Sequence, residues 1–222
     1  MAISDNSANG VVILGGTFDP IHYGHLRLAE ELRQALPVRE VRLLPCFQPV
    51  HRGQPGATTQ QRLDMLKLAV EDSELNIDEK EIVRSGPSYM VDTLDALRHE
   101  LGASTPIILA MGTDAFQSLP CWHEWERLLS QCHITVAQRP DYHTGSLPPA
   151  LESKLNTSKV EQAKQLADLP FGRIYFYPMT PLAISATQIR TLVSQQKSLR
   201  FLLPNKVESY IKQHQIYHQE KY

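Results

Sequence analysis

Cysteine is scarce in this chain, and what there is does not pair off: Cys46, Cys121 and Cys132 are odd in number, with no Cys-x-x-Cys among them. A disulfide framework and a zinc knuckle are thereby excluded, and reduced thiols are expected. Net charge is also nearly missing, at −2. With no overall basic field to hold nucleic acid or an acidic membrane, neither is expected as a partner, and any anion must be bound locally. No apolar run reaches the roughly 18 residues of a bilayer span, and residues 1–10 lack a charged-then-apolar leader pattern. A cytoplasmic protein is the expectation. The chain also has no Gly-x-x-x-x-Gly-Lys-Ser/Thr loop, no Gly-x-Gly-x-x-Gly after its first apolar run, no His-Glu-x-x-His, no nucleophile elbow, no internal repeat and no low-complexity tract.

What is there suits one α/β domain with a modest appendage: 222 residues, 42% of them hydrophobic and 21% charged. The apolar run at residues 11–14 reads as a strand buried on both faces, and largely apolar stretches at 41–44, 106–111, 133–137 and 174–177 read as further strands, with shorter strand-like pieces at 75–77 and 81–83. Between them lie helical stripes: Leu26, Ala29, Leu32 and Leu36; Leu63, Leu66, Ala69 and Val70; Val91, Leu94, Leu97 and Leu101. Polar helices are expected over 150–166, 185–194 and 205–214. This alternation predicts right-handed crossovers and a doubly wound parallel sheet, with ligands bound beyond the carboxyl ends of its strands.

The chain is organised around Gly15-Gly16-Thr17-Phe18-Asp19-Pro20-Ile21-His22-Tyr23-Gly24-His25, which reads as the end of a strand, a tight loop and the start of a helix. Paired glycines admit a ligand close to the backbone, Asp-Pro turns the chain, and the N–H groups of the helix start favour an anion. His22 and His25 share a face there, within reach of one phosphate group. A second helix start, Ile184-Ser185-Ala186-Thr187-Gln188-Ile189-Arg190, offers hydroxyls, N–H groups and a guanidinium. Ser185 and Gln188 also fit a capping box, which needs no ligand. Arg190 is left over by that reading, and arginine suits planar, multidentate binding of phosphate.

These blocks resemble bacterial nicotinate-nucleotide adenylyltransferases of the His-x-Gly-His nucleotidyltransferase superfamily. The first block resembles the family's leading motif, and the second its Ile-Ser-x-Thr-x-Ile-Arg motif. The run from Met111 to Trp125 resembles its Gly-x-Asp segment with a downstream Trp, and Ser88-Tyr89-Met90-Val91-Asp92-Thr93-Leu94 its Ser-Tyr-Thr-x-x-Thr-Leu segment, with Met90 where Thr is usual. Residues 45–52 end in His51-Arg52, similar to the family's Pro-x-His-Lys/Arg element.

The resemblance implies a Rossmann-like nucleotidyltransferase core at residues 11–183, preceded by a flexible terminus at 1–10 and completed at the phosphate site by a small C-terminal helical part at 184–222. It implies transfer of adenylyl from ATP to nicotinate mononucleotide, with Mg²⁺ arriving on ATP and no metal held by the protein. His22, His25 and Arg190 would be catalytic. Gly15, Gly16, Thr17, Phe18, Gly112, Asp114, Ser185 and Thr187 would join them in binding ATP. Asp19, His51, Arg52, Ser88, Tyr89, Met90 and Trp122 would bind the mononucleotide, Trp122 by stacking on its ring. Met90 cannot donate a hydrogen bond through its side chain, so backbone N–H groups would serve at that position.

Read from the residues alone, Ser88 and Tyr89 also fit an N-cap with a packed aromatic, His51-Arg52 a solvated basic pair, and Trp125 a core residue on one helix with Trp122. His214 and His218 have metal-ligand spacing on an expected C-terminal helix, but no third ligand accompanies them, so a solvated face is expected. Transfer to nicotinamide mononucleotide or to another phosphate acceptor, and a non-catalytic ATP sensor, are the competing functions.

Overall fold

The structure is a computed structural model and describes residues 9–49, 53–138 and 147–218. From β1 (Gly10–Gly16) the chain passes through α1 (Tyr23–Ala35), β2 (Val38–Pro45), α2 (Thr59–Val70) and β3 (Asn76–Ile77). It continues through α3 (Lys80–Arg84), α4 (Met90–Leu101), β4 (Ile107–Gly112), α5 (Thr113–Gln117), α6 (Trp125–Leu128) and β5 (His133–Gln138). Last come α7 (Pro149–Ser158), β6 (Lys159–Val160), β7 (Ile174–Pro178), α8 (Ala186–Ser194) and α9 (Asn205–Gln213).

The strands form one sheet in the order β3-β2-β1-β4-β5-β7-β6, parallel at every pairing. β1 is its hinge of topology: β2 lies on one side and β4 on the other, with Leu14 opposite Ala110. That is the switch point at which a crevice opens beyond the strand ends.

Strand side chains alternate between two cores. Val12 and Leu14 of β1 join an apolar cluster with α1, α2, α8 and α9, whereas Val11 and Ile13 join one with α4, α5, α6 and α7. Burial on both faces explains why β1 carries no polar alternation. The two C-terminal helices share the first cluster, and Tyr210 of α9 also donates its hydroxyl to Asp64 of α2 at 2.7 Å.

Two elements differ from the sequence reading. Residues 81–83 are helical, in α3: the Asp78 carboxylate accepts the N–H of Lys80 at 3.1 Å and turns the chain, while Glu81 points inward to Thr93 at 2.9 Å. The helix expected over 150–166 stops at Ser158, because Val160 finds a buried place at the sheet edge as part of β6. α1 begins at Tyr23, inside the block read as a helix entrance, which makes His22 its N-cap residue. The expected flexible terminus falls mostly on residues 1–8, outside the described residues, and Gly10 already belongs to β1.

Candidate active site

β1 delivers Gly15 and Gly16 to the crevice, and the loop that follows is held down from both sides by arginines. Arg190 of α8 donates to the Asp19 carbonyl at 2.8 Å, and Arg62 of α2 donates to the Thr17 carbonyl at 2.8 Å. Phe18 takes a left-handed backbone (φ 48°), a costly conformation for an aromatic residue, and its ring is buried edge-on to His25 at 5.2 Å. A side chain on Gly16 would strike that ring at 2.8 Å. Phe18 therefore has its ring committed to packing, leaving its backbone to face the crevice.

At the entrance to α1 the His22 and His25 rings stack, with centroids 3.7 Å apart. His22 is buried, and its Nδ1 has no hydrogen-bond partner among the described residues. Burial alone pulls its pKa down from 6.5 to about 4, so it stands neutral at physiological pH. Gly24 makes room for this ring: a Cβ there would lie 3.0 Å from it and 3.6 Å from the Ile184 carbonyl. The two helix entrances read from sequence are therefore neighbours in space.

At the second entrance, Ser185 caps α8 by accepting the Gln188 N–H at 3.1 Å, which is one half of the expected box. Thr187 Oγ1 accepts from Arg190 Nη2 at 3.1 Å. The Arg190 side chain is about one-third exposed.

Asp19, expected at the mononucleotide, has its carboxylate engaged by protein donors. One carboxylate oxygen accepts the Gly56 N–H at 2.8 Å, and the other accepts the Ala57 N–H at 3.0 Å and the Tyr217 hydroxyl at 2.7 Å. Its buried carboxylate is occupied within the protein. His51 and Arg52 lie outside the described residues.

On the other side of β1, the Met90 methyl lies 3.5 Å from where a Cβ on Gly15 would stand, so the first turn of α4 adjoins the phosphate loop. Tyr89, with no side-chain cap, is the N-cap residue of α4, and Ser88 instead accepts the N–H groups of Phe47 (3.0 Å) and Gln48 (3.3 Å). Ser88 thus ties the loop after β2 to the start of α4. Trp122 is half-buried in the same apolar cluster as Tyr89 and Met90, and the adjacent His123 ring packs on Tyr89 with centroids 4.5 Å apart. Trp122 and Trp125 do not share a helix, because Glu124 between them is left-handed (φ 50°). Gly112 and Asp114 sit exposed at the end of β4 and in the first turn of α5.

Arg62 escaped the sequence reading. It is buried, and besides Thr17 it donates to the carbonyls of Cys46 (2.8 Å) and Phe47 (3.1 Å), joining the loops after β1 and β2. The available signal was an arginine beside Leu63, Met65 and Leu66 on the inward stripe of α2. His214 and His218 are not on one helix: α9 ends at Gln213, the His214 ring packs on Tyr210 at 4.2 Å, and the chain turns left-handed at Gln215.

A family model described as cytidylyltransferase-like matches residues 13–192, a stretch that runs from β1 through most of α8. The chain is 41% identical to a protein of Marinomonas sp. strain MWYL1 named "Probable nicotinate-nucleotide adenylyltransferase", over 98% of this chain and all of that one. It is 47% identical to the protein of that name from Methylococcus capsulatus, over 92% of this chain and 98% of the relative. In fold it is similar to the Plasmodium falciparum nicotinic acid mononucleotide adenylyltransferase solved with NaAD (TM-score 0.70, 15% identity, 95% of this chain and 98% of that one). A Rossmann-like parallel sheet with a His-x-Gly-His helix entrance at its switch point defines a nucleotidyltransferase. Within that class, the chain belongs to the nicotinate-nucleotide adenylyltransferase family.

Proposed function

We propose that this chain transfers the adenylyl group of ATP to nicotinate mononucleotide, forming nicotinate adenine dinucleotide and pyrophosphate in NAD biosynthesis. The observation that carries the reading is the convergence of two helix entrances from opposite ends of the sequence, with Arg190 bonded to the loop that presents His22 and His25.

In this reaction a phosphate oxygen of the mononucleotide attacks the α-phosphorus of ATP in line. A new P–O bond forms, the α–β bridge breaks, and pyrophosphate leaves with the electron pair. The nucleophile is already ionised at neutral pH, so catalysis consists of positioning and charge stabilisation. His22 and His25 donate to the triphosphate, with Gly15, Gly16, Thr17 and the Phe18 backbone lining it. Neutral His22 offers one N–H, and the polyanion in front of it raises its proton affinity again. Ser185, Thr187 and Arg190 hold the departing phosphates, and Gly112 and Asp114 face the nucleotide from β4. Mg²⁺ enters with ATP as part of the substrate, keeping water and phosphate oxygens as ligands.

The acceptor lies on the α4 side of β1. The N–H groups of the first turn of α4, beginning at Met90, take the nicotinate carboxylate, and Trp122 stacks on its ring. Ser88 and Asp19 support the loops around it, and His51 with Arg52 takes the acceptor phosphate. Residues 11–183 form the core of the enzyme, and 184–222 complete its phosphate site. The free thiols of Cys46, Cys121 and Cys132 suit a cytoplasmic setting.

Pyrophosphate release measured with ATP and each acceptor in turn tests this reading. Nicotinate mononucleotide is expected to be preferred by at least about 10-fold in kcat/KM over nicotinamide mononucleotide, because a helix entrance favours a carboxylate over an amide. Equal use of both would remove the carboxylate site, and ATP binding without turnover on any acceptor would favour a sensor.

A further inference from the structure

We propose that Tyr217 is a positioning residue of the transfer reaction: its hydroxyl saturates Asp19, and this keeps the Arg190 guanidinium available to the triphosphate. The inference rests on the placement of Arg190 at the ATP phosphates argued above.

The segment after α9 returns to the front of the sheet at a conformational cost, with left-handed backbone at both Gln215 (φ 50°) and Tyr217 (φ 67°). The result is a buried phenol whose hydroxyl donates to Asp19 Oδ1 at 2.7 Å. The ring is fitted to its place: a Cβ on Gly56 would lie 3.0 Å from its edge and 3.4 Å from Arg190 Cδ. Burial and the Asp19 charge both push the phenol pKa up, so it stays a donor.

Asp19 and Arg190 form a long ion pair. Arg190 Nη1 bonds the Asp19 carbonyl at 2.8 Å and stands 3.5 Å from Oδ2, the carboxylate oxygen that accepts the Gly56 N–H, while Oδ1 accepts from Ala57 and Tyr217. A carboxylate so occupied competes weakly for the guanidinium. Without the phenolic donor, Oδ1 keeps only the Ala57 N–H, and the less compensated carboxylate draws in the Arg190 guanidinium, already 3.5 Å from Oδ2. The cation would then turn toward Asp19 and away from the crevice.

The test is steady-state kinetics of Tyr217→Phe, which keeps the ring and removes the donor, alongside Gly56→Ala, which keeps the phenol but pushes its ring, and the hydroxyl with it, off Oδ1. Both are expected to raise the KM for ATP about 5- to 10-fold and lower kcat by a similar factor, with the KM for the acceptor unchanged. The double variant should do little more than either alone, because both act on one contact. A purely structural role predicts a lower melting temperature and a smaller active fraction with both KM values at wild-type levels, and that result would overturn the proposal. Should either variant fold poorly, ATP titration of the soluble fraction reads the same difference, and wild-type ATP affinity there would also overturn it. Failure of the underlying functional reading is separate, since it would appear as absent turnover in the wild-type protein.

Discussion

Asp19 illustrates how neighbours decide the role of a residue. Its place in the leading motif suggests contact with a substrate, yet its carboxylate accepts from Gly56, Ala57 and Tyr217 inside the protein. Those donors come from segments 37 to 198 residues away, a relation that no local pattern carries. His22 and His25 are the opposite case, because a three-residue spacing at a helix start puts both rings on one face wherever the helix lies. Replacement of His25 by Ala should lower kcat by about 10²–10³, the scale of a lost charge-stabilising donor. The urea midpoint should move little, and near-wild-type turnover would take His25 out of the mechanism.

Among the elements, α8 was the most legible, and α2 was legible as a helix but not as a part of the site. A Ser at the N-cap, an apolar stripe and an arginine one turn in describe α8 almost completely, and its Ser185 cap is present as read. The apolar stripe Leu63, Leu66, Ala69 and Val70 marked α2 as a helix, and the structure adds a Thr58 and Gln61 capping box. Its contribution to the site was not legible, because the inward Arg62 looks like a break in the stripe until the loops after β1 and β2 are brought to it. There it satisfies three backbone carbonyls that have no ladder partner, those of Thr17, Cys46 and Phe47. Arg62→Ala should cost about 3–5 kcal/mol in urea unfolding, since it strands those acceptors and opens a cavity. A loss under about 1 kcal/mol would show that water replaces the guanidinium freely.

Across the whole molecule, the buried imidazoles set a pH limit. His22 and His133 are held at about 4, against 6.5 for a free side chain. His133 is fully buried, with Nε2 on the Leu169 carbonyl (2.8 Å) and Nδ1 accepting the Arg173 N–H (3.0 Å), so a second proton has no place to go. Between pH 6.5 and 4 the unfolded chain binds protons that the fold refuses; stability is therefore whole above this window and falls as pH drops through it. Each histidine contributes at most about 1.4 kcal/mol per pH unit. Glu81, whose pKa burial pushes up, opposes the trend and moderates it. Urea midpoints at about pH 7 and about pH 5 should show the loss, smaller in His22→Asn than in the wild type. A midpoint independent of pH would mean that the imidazoles titrate as if exposed.

The sequence by itself determined the alternation of strands and helices, the two helix entrances and the family, because burial period, caps and glycine loops are short-range properties. It misread residues 81–83 and 150–166, where a turn-forming carboxylate and a sheet edge overrode local preference. Tertiary structure alone decided that the two entrances are neighbours, that the Asp19 carboxylate is bonded by Gly56, Ala57 and Tyr217, and that Arg62 joins the loops after β1 and β2. Those contacts join residues far apart in the chain, and only packing of the sheet and its two helical layers brings them within hydrogen-bonding distance.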